Sequence, residues 1–225
     1  MASYRGHLAF SSSLGFVYGG LAHRMLDFDP ATAAVGAGLT MVAGLMPDLD
    51  SHSGVPVREM FGLTAVLVPM LIWRRLMNAN FSDEQIFVIL GFIYVFIRFV
   101  LSKIFKRFTV HRGMFHSIPA MLIAGLVVYL CYHHPSVRTR LFLAVGTMIG
   151  FLSHLVLDEI YSIDFHGVTI KFNSFAGSAV KFFSPSIIAT SITYLILIVL
   201  CYLGIQDYEK QTGVQILADK WRLGR

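Results

Sequence analysis

Residues 140–158 of this 225-residue chain read RLFLAVGTMIGFLSHLVLD, an apolar run that ends with a histidine and an aspartate. A helix needs about 20 mainly apolar residues to cross the hydrocarbon core of a bilayer, so this segment is long enough to span. His154 and Asp158 stand four positions apart, which places both side chains on one face of a helix. The segment therefore predicts a transmembrane helix that carries two metal ligands at its end.

The composition of the whole chain also indicates a membrane environment. Hydrophobic residues make up 56% of the chain, charged residues only 14%, and the mean hydropathy is +0.67. This leaves too little polar surface for an ordinary water-soluble domain of this length. The 18 Lys and Arg residues are scattered between apolar runs, so we expect membrane lipids rather than nucleic acid as partners. Cys131 and Cys201 lie in apolar runs, which favours small buried side chains over a disulfide.

Apolar segments of spanning length recur along the chain. We predict an all-α polytopic membrane protein with about six to seven transmembrane helices, in which residues 1–205 form the membrane domain and residues 206–225 a polar C-terminal tail. The first segment is rich in serine and glycine, so it suits packing against protein, and Pro69 interrupts the third. The candidate spans cover roughly residues 8–25, 31–47, 60–77, 85–103, 115–133, 140–158 and 185–204.

Side chains that bind metals recur at the ends of these segments. We count four clusters: His7 by itself, and the groups within residues 48–52, 111–116 and 154–166. Ionisable groups are costly inside a bilayer, so this recurrence favours a functional site. If all seven segments span, the N-terminus and the connections after the second, fourth and sixth segments lie on one side of the membrane. The four clusters fall in those places, which predicts one shared metal site.

The spacing within the second cluster suggests a chelating pair. Asp48 and Asp50 follow Pro47, and a proline disfavours helical geometry in the residue before it. We therefore expect an extended segment in which both carboxylates point the same way.

The third cluster combines imidazoles with possible phosphate-binding groups. His111 and His116 are five positions apart, about 140° around a helix, so we expect a turn at Gly113 and His116 at the start of the next helix. Arg112 and Ser117 supply a permanent cation and a hydroxyl, which can bind a phosphate oxygen.

Each cluster also has an interpretation without a metal. An Asp-x-Asp after a proline is often a loop or a helix cap, and a His–Asp pair four apart is often a surface contact. His52 and His166 could lie in solvated loops. The metal-site hypothesis depends on the co-location of the clusters rather than on any one motif.

The order of the motifs resembles that of a known family. A histidine near the N-terminus, Met-Pro-Asp-Leu-Asp, His-Arg-Gly-x-x-His-Ser and Ser-His-x-x-x-Asp together resemble the bacterial inner-membrane metal-dependent hydrolases of the YdjM type, over roughly residues 7–185. The His-x-x-x-Asp pair is also distantly similar to zinc phospholipases C and related nucleases. The resemblance implies a hydrolase but no substrate, with metal ligands among His7, Asp48, Asp50, His111, His116, His154 and Asp158.

These observations lead to a functional expectation. Mixed histidine and carboxylate ligation without thiolates suits a catalytic site that holds one or two divalent ions, zinc or manganese. We expect metal-activated hydrolysis of a phosphoester, in a lipid or a lipid-linked molecule because the site opens at headgroup depth. Glu159 or an unligated aspartate is the candidate base, and Arg112 the candidate phosphate-binding residue.

Other classes of protein stay open from the sequence alone. A divalent-metal transporter would also carry His and Asp in its helices, but its ligands belong near the midplane on broken helices. An intramembrane metalloprotease is disfavoured because no His-Glu-x-x-His occurs in the chain. A non-catalytic membrane protein requires only the structural interpretations of each motif.

Overall fold

The computed structural model describes residues 3–50, 55–104, 114–166, 169–172, 180–214 and 216, with the backbone alone for residues 49, 50, 55–57, 163–166 and 169–172. Seven α-helices account for most of the described chain. They are α1 (Tyr4–Met25), α2 (Pro30–Ala43), α3 (Val55–Met77), α4 (Asp83–Val95), α5 (Ile118–Cys131), α6 (Val137–Ile160) and α7 (Ile187–Thr212).

The predicted all-α membrane architecture is confirmed. Four helices are long and apolar enough to cross a membrane: Arg58–Met77, Asp83–Ile104, Val137–Ile160 and Ile187–Thr212. The second of these continues α4 through a π-helical stretch, Phe96–Leu101. The helices α2 and α5 are apolar but shorter, with 14 residues each. Within the described residues, β structure is limited to one antiparallel pair of strands, β1 (Ile163–His166) and β2 (Thr169–Phe172), and the isolated bridge between Ser117 and Lys181.

Capping residues set the helix ends, and several ends differ from the predicted ones. The helix α1 begins at Tyr4, earlier than predicted, because the Ser3 hydroxyl accepts the Gly6 backbone N–H at 3.1 Å. The Asp29 carboxylate caps α2 by accepting the Thr32 backbone N–H, and the hydrogen bonds from Thr32 lower the pKa of Asp29. At the C-terminal end, α7 continues into the predicted polar tail and stops at Gly213, whose φ of 72° is left-handed.

The helices pack around α6. Its neighbours are α2 and α5, with α1 lying along α2, α7 along α5 and α3 along α4. A Cβ atom on Gly150 would lie 2.8 Å from the Thr40 carbonyl carbon, so the backbones of α6 and α2 are in direct contact. Small residues permit this close approach where a larger side chain would hold the helices apart. The centre of the bundle therefore carries the segment that holds His154 and Asp158.

Candidate metal centre

Five of the predicted ligands lie together at one end of the bundle. His7 is in the first turn of α1, Asp48 lies in a 3₁₀-helix after α2, and His116 immediately precedes the N-cap of α5. His154 and Asp158 lie in the last two turns of α6. We call these five residues the metal centre, as the candidate site for a metal ion. Their side chains are almost fully buried except for that of Asp48, which is 19% exposed. Asp48 therefore marks the side from which water or a substrate can approach.

The first group of donor atoms joins α1 to α6. The His7 Nε2 lies 3.2 Å from Asp158 Oδ1, and the His7 ring stacks on the His154 ring with 3.7 Å between centroids. One donor atom from each of these three residues lies within 4.8 Å of the other two. The three side chains therefore have the spacing to hold one metal ion.

The second group adds Asp48 and His116. The Asp48 Oδ1 lies 3.6 Å from His154 Nε2 and 4.0 Å from His116 Nε2. These three residues also offer donor atoms within 4.8 Å of one another. The Asp158 Oδ2 lies 3.8 Å from His154 Nε2 and 4.0 Å from His116 Nε2. Asp158 thus presents one carboxylate oxygen to His7 and the other to His116 and His154, so it would be the residue within reach of both groups of donors.

A backbone hydrogen bond fixes the orientation of the His154 ring. The His154 Nδ1 lies 2.8 Å from the Gly44 carbonyl oxygen, which can only accept, so Nδ1 carries the hydrogen. In the neutral ring the lone pair is then on Nε2, and this buried atom has no hydrogen-bond partner among the described residues. It faces the carboxylate oxygens of Asp48 and Asp158 at 3.6 and 3.8 Å. An outer N–H bound to a carbonyl is the usual support of a metal-binding histidine.

The spacing of these atoms suits a cation between them. Two ligands with bond lengths of about 2.0–2.1 Å in a tetrahedral zinc site lie about 3.3–3.4 Å apart. The nitrogen–oxygen distances in the metal centre run from 3.2 to 4.0 Å. Most of these are too long for a good hydrogen bond, but they require only small shifts to surround an ion. The metal centre could hold one ion or two.

Hydrogen bonds fix the segment that leads into α5. The Ser117 hydroxyl donates to the Met114 carbonyl oxygen and accepts the Ala120 backbone N–H, while Ile118 donates its N–H to the Lys181 carbonyl oxygen at 3.0 Å. The Ser117 hydroxyl, which the sequence offered as a group that can bind a phosphate oxygen, is buried here and caps the helix. The helix starts at Ile118, so His116 precedes it rather than entering it.

The segment after α2 also differs from the prediction. Residues Met46–Asp50 form a 3₁₀-helix, where an extended segment was expected. The fixed φ of Pro47 suits a 3₁₀-helix as well as an extended chain, and its missing N–H costs nothing in a first turn. An extended backbone therefore does not account for the orientation of Asp48, and the side chain of Asp50 lies outside the described residues.

Of the other predicted site residues, Glu159 is described and is not part of either group. Glu159 is half-buried beside Asp158 on α6, about 100° further around the helix. His111 and Arg112 lie outside the described residues, so their predicted roles stay predictions. Sequence reasoning missed one contributor, the Gly44 carbonyl, because a backbone acceptor leaves no mark in a pattern of side chains.

The order of the motifs agrees with a comparison against known families. The model of the YdjM inner membrane protein family matches residues 1–218. The chain belongs to this family. The family and the long apolar helices together identify an integral membrane protein, and the resemblance inferred from the motifs is confirmed. A search of curated proteins and a search of solved structures gave no match.

Proposed function

We propose that the chain is a metal-dependent hydrolase of the bacterial inner membrane that acts on a lipid or lipid-linked phosphoester. The observation that supports this most strongly is the buried His154. Its Nδ1 is committed to the Gly44 carbonyl, and its Nε2 faces two carboxylates at 3.6 and 3.8 Å. A lone pair aimed at anionic oxygens in a buried site is unfavourable, and a divalent cation between them removes the repulsion.

The donor set suits zinc or manganese. It combines three imidazoles with two carboxylates in the described residues, and no thiolate is among them. Imidazole suits zinc, and carboxylate suits manganese. When bound, such an ion polarises a phosphoryl oxygen and lowers the pKa of water towards about 7. Asp158, with one oxygen turned to each group, is the residue that we expect to bridge if two ions bind.

The remaining residues of the proposed site act on the substrate or on the attacking water. Asp48, the most exposed member of the metal centre, lies on the side where the phosphoester enters. Glu159, next to Asp158, is proposed as the general base. Arg112 is proposed to hold a phosphate oxygen, because a guanidinium donates to phosphate in a bidentate manner and cannot bind a cation.

The depth of the metal centre favours a lipid substrate over transport. His7 and Asp158 both lie within one turn of the end of an α-helix, and Asp48 and His116 lie just outside the α-helices. Ends of spanning helices lie near the headgroups, where phosphoesters of lipids are. The ligands of a transporter belong at the midplane, on helices that are broken there.

The test compares two histidines at opposite ends of the protein. We expect the purified wild type to contain a divalent metal and to hydrolyse bis(p-nitrophenyl) phosphate or a phospholipid, with both lost in His154→Ala. His133→Ala, in the connection between α5 and α6, should keep both. Metal content is measured by mass spectrometry of the purified protein, and hydrolysis by product release. Full metal occupancy with no activity on any phosphoester tested would contradict the hydrolase and favour a transporter or a structural metal protein.

A further variant separates binding from catalysis. Arg112→Ala should keep the metal and slow hydrolysis by about 10²–10³-fold, as loss of a donor to developing charge does. The two quantities are measured on the same preparation. An unchanged rate would remove Arg112 from the proposed site and leave the hydrolase in place.

A further inference from the structure

An apolar cavity of about 290 Å³ lies beside the metal centre. Its walls come from α2, α3, α5, α6 and α7, together with Met46 in the 3₁₀-helix and the segment that leads into α5. The helix α3 packs mainly on α4 and only lightly on α5, which leaves this space between them. The cavity is therefore a gap in the bundle rather than a groove on one helix.

Among the described residues that line the cavity, no side chain offers a free hydrogen-bond donor to a guest. Three threonines are among the lining residues, and each hydroxyl donates to a carbonyl of its own helix: Thr64 to Met60, Thr147 to Leu143 and Thr193 to Ala189, at 2.8–2.9 Å. The other lining residues are aliphatic, aromatic or methionine side chains. A polar guest would lose its hydrogen bonds here, so the chemistry of the wall selects a hydrocarbon.

The cavity and the metal centre share their supporting residues. Met46 lines the cavity two positions before Asp48, and Phe115 lines it immediately before His116. Phe151 lines it three positions before His154, one turn up α6. A guest that fills the cavity therefore ends next to the ligands.

Exposure along the wall indicates where the cavity opens. The inner wall is fully buried, with Phe151 2% exposed and Thr147 1%. The outer wall includes Ile196, 44% exposed, and Val127, 37% exposed, both on apolar helices. Apolar residues exposed on a membrane helix face acyl chains. The opening thus faces the hydrocarbon of the bilayer.

We infer that this cavity holds one acyl chain of a glycerophospholipid whose phosphoester lies at the metal centre. The inference rests on the proposed function and adds the substrate class. An apolar cavity of about 150 Å³ takes one benzene, so 290 Å³ takes on the order of twelve carbons, enough for most of one chain but not for two. The second chain stays in the bilayer. A chain already in lipid gains little hydrophobic free energy on entry, so selection depends on shape.

The experiment uses the full chain in vesicles of phosphatidylglycerol that carries a photoactivatable diazirine near the end of one acyl chain. After illumination, the sites of cross-linking are mapped by mass spectrometry. We expect labels on cavity residues such as Phe151 and Thr147. Ala124→Leu on α5 fills the cavity, and Ala34→Leu on the exposed face of α2 is the control with the same added volume. The first should reduce cavity labelling by about tenfold or more, a scale typical of misfit by one or two methylenes.

The same variants are assayed for metal and for two activities. Ala124→Leu should keep its metal and its rate on bis(p-nitrophenyl) phosphate, and lose about tenfold or more on phosphatidylglycerol. Loss of metal in Ala124→Leu would indicate that this variant has not folded. In that case Thr64→Leu, on the opposite wall, repeats the test.

The outcomes separate the two proposals. Labels confined to lipid-facing residues such as Phe87 and Ile198 would overturn the proposed acyl-chain site, even if hydrolysis is intact. Labels in the cavity without hydrolysis of any phosphoester would overturn the proposed hydrolase function and support the acyl-chain site. Displacement of the label by a polyprenyl phosphate, and not by excess phosphatidylglycerol, would assign the cavity to an isoprenoid and overturn the acyl chain.

Discussion

Two buried polar clusters lie at opposite ends of α6, and they are built differently. At the start of the helix is the Arg140 cluster, made of Arg140, Tyr129 and Asp207. At its end, roughly 27 Å away along the axis, is the metal centre. The Arg140 guanidinium lies 2.6 Å from Asp207 Oδ2, donates to the Tyr129 carbonyl oxygen at 2.8 and 3.0 Å, and lies over the Tyr129 ring at 4.2 Å.

The difference concerns where the positive charge comes from. In the Arg140 cluster a permanent cation meets a carboxylate, a carbonyl and a ring, so the chain supplies both signs of charge. In the metal centre the described contacts join carboxylate oxygens to imidazoles, and the His154 Nε2 lone pair faces oxygens rather than a donor. The first cluster connects α5, α6 and α7 through these contacts. The second is the metal site proposed above, in which an added cation would supply the positive charge.

Replacing an aspartate by asparagine should have different consequences in the two clusters. The largest effect is expected in the metal centre. Asp158→Asn removes the charge of the carboxylate that faces both groups of donors. We expect metal content to fall to background and hydrolysis with it, while the protein still inserts in the membrane. Metal analysis of the membrane-extracted variant is the measurement. An Asp158→Asn protein with wild-type metal content would break the comparison.

The second prediction alters the support of His154 without touching a ligand. A Cβ on Gly150 meets the Thr40 carbonyl, so Gly150→Ala should push α2 from α6 and move the Gly44 carbonyl off His154 Nδ1. We expect metal affinity to fall by about tenfold, at the low end of the losses seen when a supporting hydrogen bond is removed. Gly38→Ala is the control, since its Cβ meets nothing within 4 Å. Equal affinities in the two variants would contradict this role of Gly44.

The third prediction concerns the Arg140 cluster. Asp207→Asn removes the carboxylate partner of a guanidinium that is 1% exposed. We expect a loss of about 2 kcal/mol in stability, less than for a fully buried pair because Asp207 is 25% exposed. The thermal midpoint in detergent should fall while metal content stays at the wild-type value. A loss of metal would mean that the two ends of α6 are not independent.

Much of this architecture follows from hydropathy. The apolar runs predict the helices because the bilayer forces backbone hydrogen bonds to form within each segment. Their ends are less predictable, since single caps such as Ser3 and Ser117 decide them. Asp48 shows the limit of a local rule: the constraint that Pro47 imposes is compatible with a 3₁₀-helix as well as an extended chain.

The site is predictable to a different degree. The parity of seven spans predicts that His7, Asp48, His116, His154 and Asp158 share one end. The structure brings these five residues together, and four of its helices are long and apolar enough to span. The division of Asp158 between two groups of donors and the contact of His154 with Gly44 arise from tertiary packing. The cavity beside them is equally invisible in one sequence, because its walls come from five helices.

X-ray absorption at the zinc edge tests the central claim most directly, since it reports the atoms that surround the metal. The protein is purified without chelator, loaded with zinc, and measured alongside His154→Ala. The account predicts nitrogen and oxygen ligands at about 2.0–2.1 Å, with imidazole scattering that is reduced in the variant. A wild-type protein that retains no metal, or a zinc shell unchanged by His154→Ala, would contradict it.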